Sequence, residues 1–227
     1  MIVESGDFSF HSITEDNLEM VRQWRNSEFV RTNMIFQDII SEEQQKQWYK
    51  RISNINNIYF VAHFKQTPFG VMNYKNINWK KNEAEAGIFV GSKEYIQTQI
   101  PSAAAVLLMH FTFFAIGMEK IYSEILKNNQ SVIFYNTGLG FSFLREEQNV
   151  QWWELQKKIF SEKTMKLLNA AKIISNHQHQ WKISLFPDDI SKGFAGLIQQ
   201  RLDLCSTEYQ LIEYESVCVF HITCKES

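Results

Sequence analysis

Residues 94–105 read EYIQTQIPSAAA and lie where a strand-like apolar run gives way to a long, helix-like apolar run. A chain that leaves a strand and enters a helix there presents unpaired backbone N–H groups and the positive end of the helix dipole. That is chemistry for holding an anion such as a diphosphate. Loops that do this usually carry glycine, so that the backbone can come close to the phosphate. This stretch has none, although Thr98 and Ser102 add hydroxyl donors. No Ser/His/Asp or Cys/His set suggests a competing nucleophile. His177 and His179 have no carboxylate or thiol partner in sequence, so they read as loop residues and no metal is expected. Cys205, Cys218 and Cys224 match no zinc spacing and are odd in number, so they read as reduced thiols.

The elements that must position this loop follow from periodicity. The chain has 227 residues, 44% hydrophobic and 21% charged, with a formal net charge of −2. That is enough apolar material for a real core and gives no basic surface for nucleic acid or membrane. The start, MIVESGDFSFHS, lacks a basic patch followed by an apolar core, so no signal peptide is expected and the protein reads as cytoplasmic. Residues 8–12 alternate as a strand. Thr14 reads as the cap of a first helix, and Ser41-Glu42-Glu43-Gln44 as a capping box opening a second. Strand-like runs at 58–64, 69–77 and 84–91 form an antiparallel meander. The apolar run 100–117 carries Ser102, His110 and Thr112, and reads as a buried core helix ending at Ile116 with Gly117 as its cap. A strand at 120–126, a helix at 128–138 and strands at 141–147 and 150–160 complete the order β, α, α, β, β, β, α, β, α, β, β. Residues 161–227 read as a small α/β extension: a helix capped by Ser161, then strand, helix, strand, strand.

That order over about residues 8–160 resembles the GNAT superfamily of acyl-CoA N-acyltransferases. AEAGIFVGSKEYIQTQIPSAAAVLLMHFTFFAIGMEKIYSEILKNNQSVIFYNTGLGF is similar to the family's core segment, with one extra residue near Gly138. VRQWRNSEFVRTNMIF followed by SEEQQKQWYKRI resembles the branch that holds ribosomal-protein N-terminal acetyltransferases and acetyltransferases of nucleotide-linked amino sugars. Trp24, Arg25, Asn26 and Met34 are the matching positions. The resemblance implies an α+β fold, a mixed and mostly antiparallel twisted sheet flanked by helices. It divides the chain into an acyltransferase domain at 1–160 and an extension at 161–227.

One departure concerns the loop. The family's pyrophosphate pattern is Arg/Gln-x-x-Gly-x-Gly/Ala, and the same register here falls on Ile96 to Pro101, with Gln99 and Pro101 at the glycine positions. Because the backbone is the donor, N–H groups of Gln97, Thr98, Gln99, Ile100, Ser102 and Ala103 are the candidates for holding diphosphate. Pro101 gives up an N–H that the first helical turn does not use. A left-handed backbone at Gln99 would cost about 1 kcal/mol.

The remaining roles also follow from the resemblance. Tyr135 is expected to donate a proton to the departing thiolate. Glu85 is the candidate base, acting directly or through water. The backbone of Phe89, Val90 and Gly91 is expected to contact the thioester and pantetheine, and Asn129, or alternatively Asn128, the cofactor arm. Arg25, Asn26 and Met34 are expected to bind the acceptor, with Arg25 able to grip a diphosphate or carboxylate bidentately. The implied activity is transfer of an acyl group, acetyl by default, from acetyl-CoA to a primary amine on a small molecule, in a bacterial cytoplasmic enzyme. A nucleotide-linked amino sugar is favoured slightly over a protein N-terminus. The alternative class is a catalytically degenerate domain that binds a ligand or partner. The extension could serve as a dimerisation element in a homodimer, as a lid over the acceptor site or as a partner-binding unit.

Overall fold

The computed structural model describes residues 1–177 and 180–223; His179 and Cys224 of the sequence reading lie outside that range. The elements are β1 (Ile2–Ser5), β2 (Phe8–Ser12), α1 (Leu18–Asn26), α2 (Glu28–Arg31), α3 (Glu42–Ile52), β3 (Ile58–Phe64), β4 (Thr67–Asn78), β5 (Glu83–Val90) and α4 (Ile100–Phe114). They continue with β6 (Lys120–Leu126), α5 (Gln130–Leu139), β7 (Ser142–Glu147), β8 (Val150–Gln156), α6 (Lys157–Ile174), β9 (Gln180–Leu185), α7 (Pro187–Ser191), α8 (Phe194–Leu204), β10 (Glu208–Glu213) and β11 (Cys218–Thr223).

The eleven strands of the described residues form one sheet in the order β10-β11-β9-β1-β2-β3-β4-β5-β6-β8-β7. Every neighbouring pair is antiparallel except β5 and β6, which run parallel. Helix α4 crosses one face. It is apolar around almost its whole circumference because it is buried on all sides, packed against the sheet and α6. The small side chains of Ala103, Ala104 and Ala105 let it come close to its neighbours, and Thr112 Oγ1 satisfies itself on the Leu108 carbonyl at 2.8 Å. On the opposite face, α1 lays Leu18 and Val21 against Val61 and Val71, with Trp24, Trp48 and Phe89 around them. The Ser41 capping box forms as expected: Gln44 N–H donates to Ser41 Oγ at 3.2 Å, and Ser41 N–H donates to Gln44 Oε1 at 2.8 Å.

Several boundaries differ from the sequence reading. β1 precedes the strand at 8–12 and pairs with both β2 and β9. Strand β8 ends at Gln156, so the division drawn between 160 and 161 runs through the interior of α6, and Ser161 is no cap. Gly193, with φ +90°, splits the expected tail helix into α7 and α8. Helix α4 stops at Phe114, and Gly117 makes the following turn with φ +78°.

Residues 161–223 extend both the sheet and the core. Trp181, Ile183, Leu185, Phe220 and Ile222 are buried in the same cluster as Phe10 and Phe111, and the Trp181 ring lies 4.5 Å from that of Phe111. Arg201 of α8 is buried beneath the end of α4. Its Nε donates to the Ile116 carbonyl at 2.8 Å and its Nη2 to the Gly117 carbonyl at 2.9 Å. A cation there complements the negative end of the helix whose N-terminus is the EYIQTQIPSAAA loop.

Candidate active site

The site begins where two strands part. β5 pairs with β6 only from Glu83 to Glu85, opposite Lys120 to Tyr122, and Gly87 to Val90 have no partner strand on that side. Which groups face the gap follows from the other edge. Gly91 N–H donates to the Phe69 carbonyl at 2.8 Å, and β4 and β5 keep regular register from Gly70/Val90 to Lys75/Glu85. Antiparallel pairs alternate between bonded and non-bonded. Phe89 and Gly91 therefore spend their main-chain groups on β4, while those of Ile88 and Val90 point into the gap. Of the three residues expected to contact the thioester and pantetheine, Val90 turns its main-chain groups to the gap and Phe89 and Gly91 turn theirs to β4; Ile88, absent from the sequence reading, also faces the gap.

The loop after β5 is folded on itself. Thr98 N–H and Oγ1 both donate to the Tyr95 carbonyl, at 3.1 and 2.9 Å. Ile100 N–H donates to Thr98 Oγ1 at 3.3 Å, and Ala103 N–H to the Gln99 carbonyl at 2.9 Å. Of the six N–H groups expected to hold diphosphate, Gln97, Gln99 and Ser102 are left without a protein partner among the described residues. Gln99 has φ −82° and ψ −5°, so the strain anticipated for a left-handed residue does not arise. Pro101 sits in the first turn of α4, where its missing N–H costs no helical bond.

Tyr135 comes from α5 to the same end of α4. Its hydroxyl is buried without a hydrogen-bond partner, beside Ser102. Burial pushes its pKa up to about 12, an effect that the Ser102 hydroxyl moderates. The group is thus a protonated donor at neutral pH, and its hydroxyl has no partner at hydrogen-bond geometry among the described residues. An orphaned buried hydroxyl next to unpaired N–H groups at a helix N-terminus fits a thioester and its diphosphate. Asn129 caps α5, its Oδ1 accepting from Val132 N–H at 3.3 Å, while its Nδ2 has no partner among the described residues.

Glu85 lies on the α1 face of the sheet at the point of parting. Lys75 Nζ is 2.9 Å from Glu85 Oε2 and 2.9 Å from Glu124 Oε2, and Asn76 Nδ2 donates to Glu85 Oε1 at 2.7 Å. Trp152 Nε1 donates to Glu124 Oε1 at 3.1 Å. Burial pulls the Lys75 pKa down, but the two carboxylates outweigh it and the net direction is up, so Lys75 is a cation. Asn73 leans over Gly87, where a Cβ would lie 2.8 Å from its Oδ1. Lys75, Glu124, Asn73 and Trp152 escaped the sequence reading, because cross-strand register and not local spacing brings them to Glu85.

The acceptor residues inferred from resemblance do structural work. Asn26 uses both ends of its carboxamide on Ile40, donating to the carbonyl and accepting from the N–H, each at 2.8 Å. Arg25 Nη2 donates to the Phe36 carbonyl at 2.9 Å, while its Nη1 is buried without a partner. Met34 is half-buried in the same stitched loop. Among the described residues there is no group of three or more potential metal ligands, and no helix is long and apolar enough to cross a membrane.

A family model described as "Acetyltransferase (GNAT) domain" matches residues 8–142. No curated protein matches the sequence. Among solved structures, spermidine N-acetyltransferase from Vibrio cholerae in complex with CoA and spermine is similar with a TM-score of 0.60 at 16% identity, covering 68% of this chain and 98% of that one. The same enzyme in a dodecameric structure is similar with a TM-score of 0.54 at 16% identity, covering 67% and 95%. A domain from Methanocaldococcus jannaschii is similar with a TM-score of 0.59 at 21% identity, covering 66% and 99%. At such identities the likeness to these structures is one of fold, but the family match spans more than half of the sequence. The chain belongs to the GNAT acetyltransferase domain family, whose members use acetyl-CoA.

Proposed function

We propose that this chain acetylates a primary amine on a small molecule, with Tyr135 as the proton donor and Glu85 as the base. The observation that carries the reading is the buried, unpartnered Tyr135 hydroxyl beside Ser102 at the N-terminus of α4. Acetyl-CoA, when bound, supplies the acyl group and a thiolate that needs a proton. The N–H groups of Ile88 and Val90 hold and polarise the group in the gap between β5 and β6. Those of Gln97, Gln99 and Ser102 hold the diphosphate, and Tyr135 Oη releases its proton toward sulfur. Glu85 receives the proton of the acceptor ammonium, directly or through water, so that the attacking amine is neutral. Use of acetyl-CoA supports a cytoplasmic location. Self-association, which the Vibrio cholerae enzyme displays as a dodecamer, is proposed here as well.

Glu85 and Glu124 face the acceptor side with one lysine between them, which favours an acceptor that is itself cationic, such as a polyamine. The nucleotide-linked amino sugar of the sequence reading keeps one supporting observation, the unpartnered Nη1 of Arg25. Release of CoA thiol is the test, measured with acetyl-CoA plus spermidine, a nucleotide-linked amino sugar, or a peptide with a free N-terminus. Turnover with spermidine supports the cationic reading, and turnover with the nucleotide replaces it with the second. Binding of CoA without turnover on any amine would favour the degenerate ligand-binding alternative.

A further inference from the structure

The end of β5 is covered on its α1 face by Trp24. A Cβ placed on Gly91 would lie 2.1 Å from Trp24 Cδ2, 2.4 Å from Cγ and 2.5 Å from Cε3, so the indole rests with its face on the Gly91 backbone. That backbone cannot retreat, because the N–H groups of Gly91 and Ser92 both donate to the Phe69 carbonyl, at 2.8 and 3.0 Å. The indole is held from behind as well: Trp24 packs with Phe89 against the cluster of Leu18, Val21, Val61 and Val71. The same alternation that turns the N–H groups of Ile88 and Val90 into the gap puts the Phe89 side chain on the α1 face, next to Trp24. The space beside those N–H groups is therefore walled, on the side from which the acceptor comes, by two aromatic rings over a glycine.

We propose that Trp24 sets the length of the acyl group the protein transfers, admitting acetyl and excluding longer chains. This rests on the acetyltransferase reading and on the thioester lying against the N–H groups of Ile88 and Val90. A methyl group fits beside a fixed indole. Each added methylene must push the ring off Gly91 or bend the acyl chain away from the attacking amine, and a close-packed wall does neither cheaply. Gly91 belongs to the same device, since any side chain there would displace the indole.

The experiment measures kcat/KM for acetyl-, propionyl- and butyryl-CoA with one amine acceptor, in the wild type, Trp24→Leu and Trp24→Ala, alongside calorimetric affinity for CoA and a thermal melt. The wild type is expected to prefer acetyl over propionyl by about 10-fold or more, the usual worth of a methylene in a shaped pocket. The acetyl-to-butyryl ratio is expected to fall at least tenfold in Trp24→Ala, and partway in Trp24→Leu, which keeps apolar packing on α1 should the alanine variant unfold. CoA affinity is expected to change little, because CoA has no acyl group to meet the ring. Equal use of acetyl- and butyryl-CoA by the wild type would overturn the proposal, as would an unchanged ratio in a folded Trp24 variant. Failure of the underlying reading is distinguishable, because the wild type would then release no thiol from any acyl-CoA.

Discussion

Arg201→Met tests whether the C-terminal segment is part of the machinery that holds α4. In the wild type the guanidinium makes two hydrogen bonds, at 2.8 and 2.9 Å, to the carbonyls of Ile116 and Gly117, and it is buried. Hydrogen bonds from a charged donor contribute about 1.5–3 kcal/mol each, so the pair accounts for roughly 3–6 kcal/mol. Methionine fills most of the volume and spares the protein the burial of a charge, which returns part of that sum. It leaves the two carbonyls unsatisfied, however, and removes the cation from the negative end of α4. A net loss of about 2–4 kcal/mol is expected. For a domain of this size each kcal/mol moves the midpoint by about 2–4 °C. Differential scanning calorimetry should therefore show one transition, lowered by roughly 5–15 °C. A midpoint within about 1 °C of the wild type would refute the reasoning. A second, separate transition would show that residues 161–223 unfold apart from the rest.

The remaining predictions concern the site. Lys75→Met leaves Glu85 and Glu124 without the cation that lies 2.9 Å from each, so the Glu85 carboxylate loses the ion pair that holds it in place. kcat/KM should fall by ~10-fold or more from a misplaced base, whereas Lys75→Arg should keep most of it; unchanged kcat/KM in Lys75→Met would remove Glu85 as the base. Gln99→Gly relieves no strain at φ −82° and lies at the N-cap of α4, where glycine is tolerated, so CoA affinity should stay within about twofold and stability should change by only roughly a few tenths of a kcal/mol. Clearly tighter CoA binding by that variant would mean that the Gln99 side chain crowds the phosphate. Ser102→Glu places a negative charge among the N–H groups of the loop and should abolish CoA binding in calorimetry. CoA and pantetheine binding with equal affinity to the wild type would show instead that no diphosphate is cradled there.

What the sequence made legible were features written in neighbouring residues. The apolar run that becomes α4 needs no partner to be recognised, because a helix with no polar face has to be buried. Strand β3 matched its expected limits, and the Ser41–Gln44 box is local chemistry that formed as spaced. Tyr135 was legible through resemblance, although its burial and its neighbour Ser102 were not. The rest depends on register across the sheet. Lys75, Glu85 and Glu124 become neighbours only because β4, β5 and β6 are aligned as they are, and nothing in KNI or SEI announces it. Arg201 sits in a helix that reads as amphipathic, where an arginine looks like a surface charge until α4 is seen to end against it. Strand β1 was missed because IVES is too short to show a period, and its partner β9 lies some 180 residues downstream. Arg25 and Asn26 matched a motif, and their side chains turned out to brace the loop at 36–40.

The measurement that bears most directly on the central claim is the comparison of turnover and CoA affinity in Tyr135→Phe. The substitution keeps the ring and removes only the hydroxyl that is buried without a partner. Steady-state kinetics with acetyl-CoA and an accepted amine should show kcat lowered by ~10²–10⁴, the range for a positioned proton donor, while the calorimetric Kd for CoA stays within about twofold. Unchanged kcat would contradict the account, and so would a loss of CoA affinity large enough to explain the lost rate. Either result would leave Tyr135 as a packing residue of α5 and assign the proton to another group.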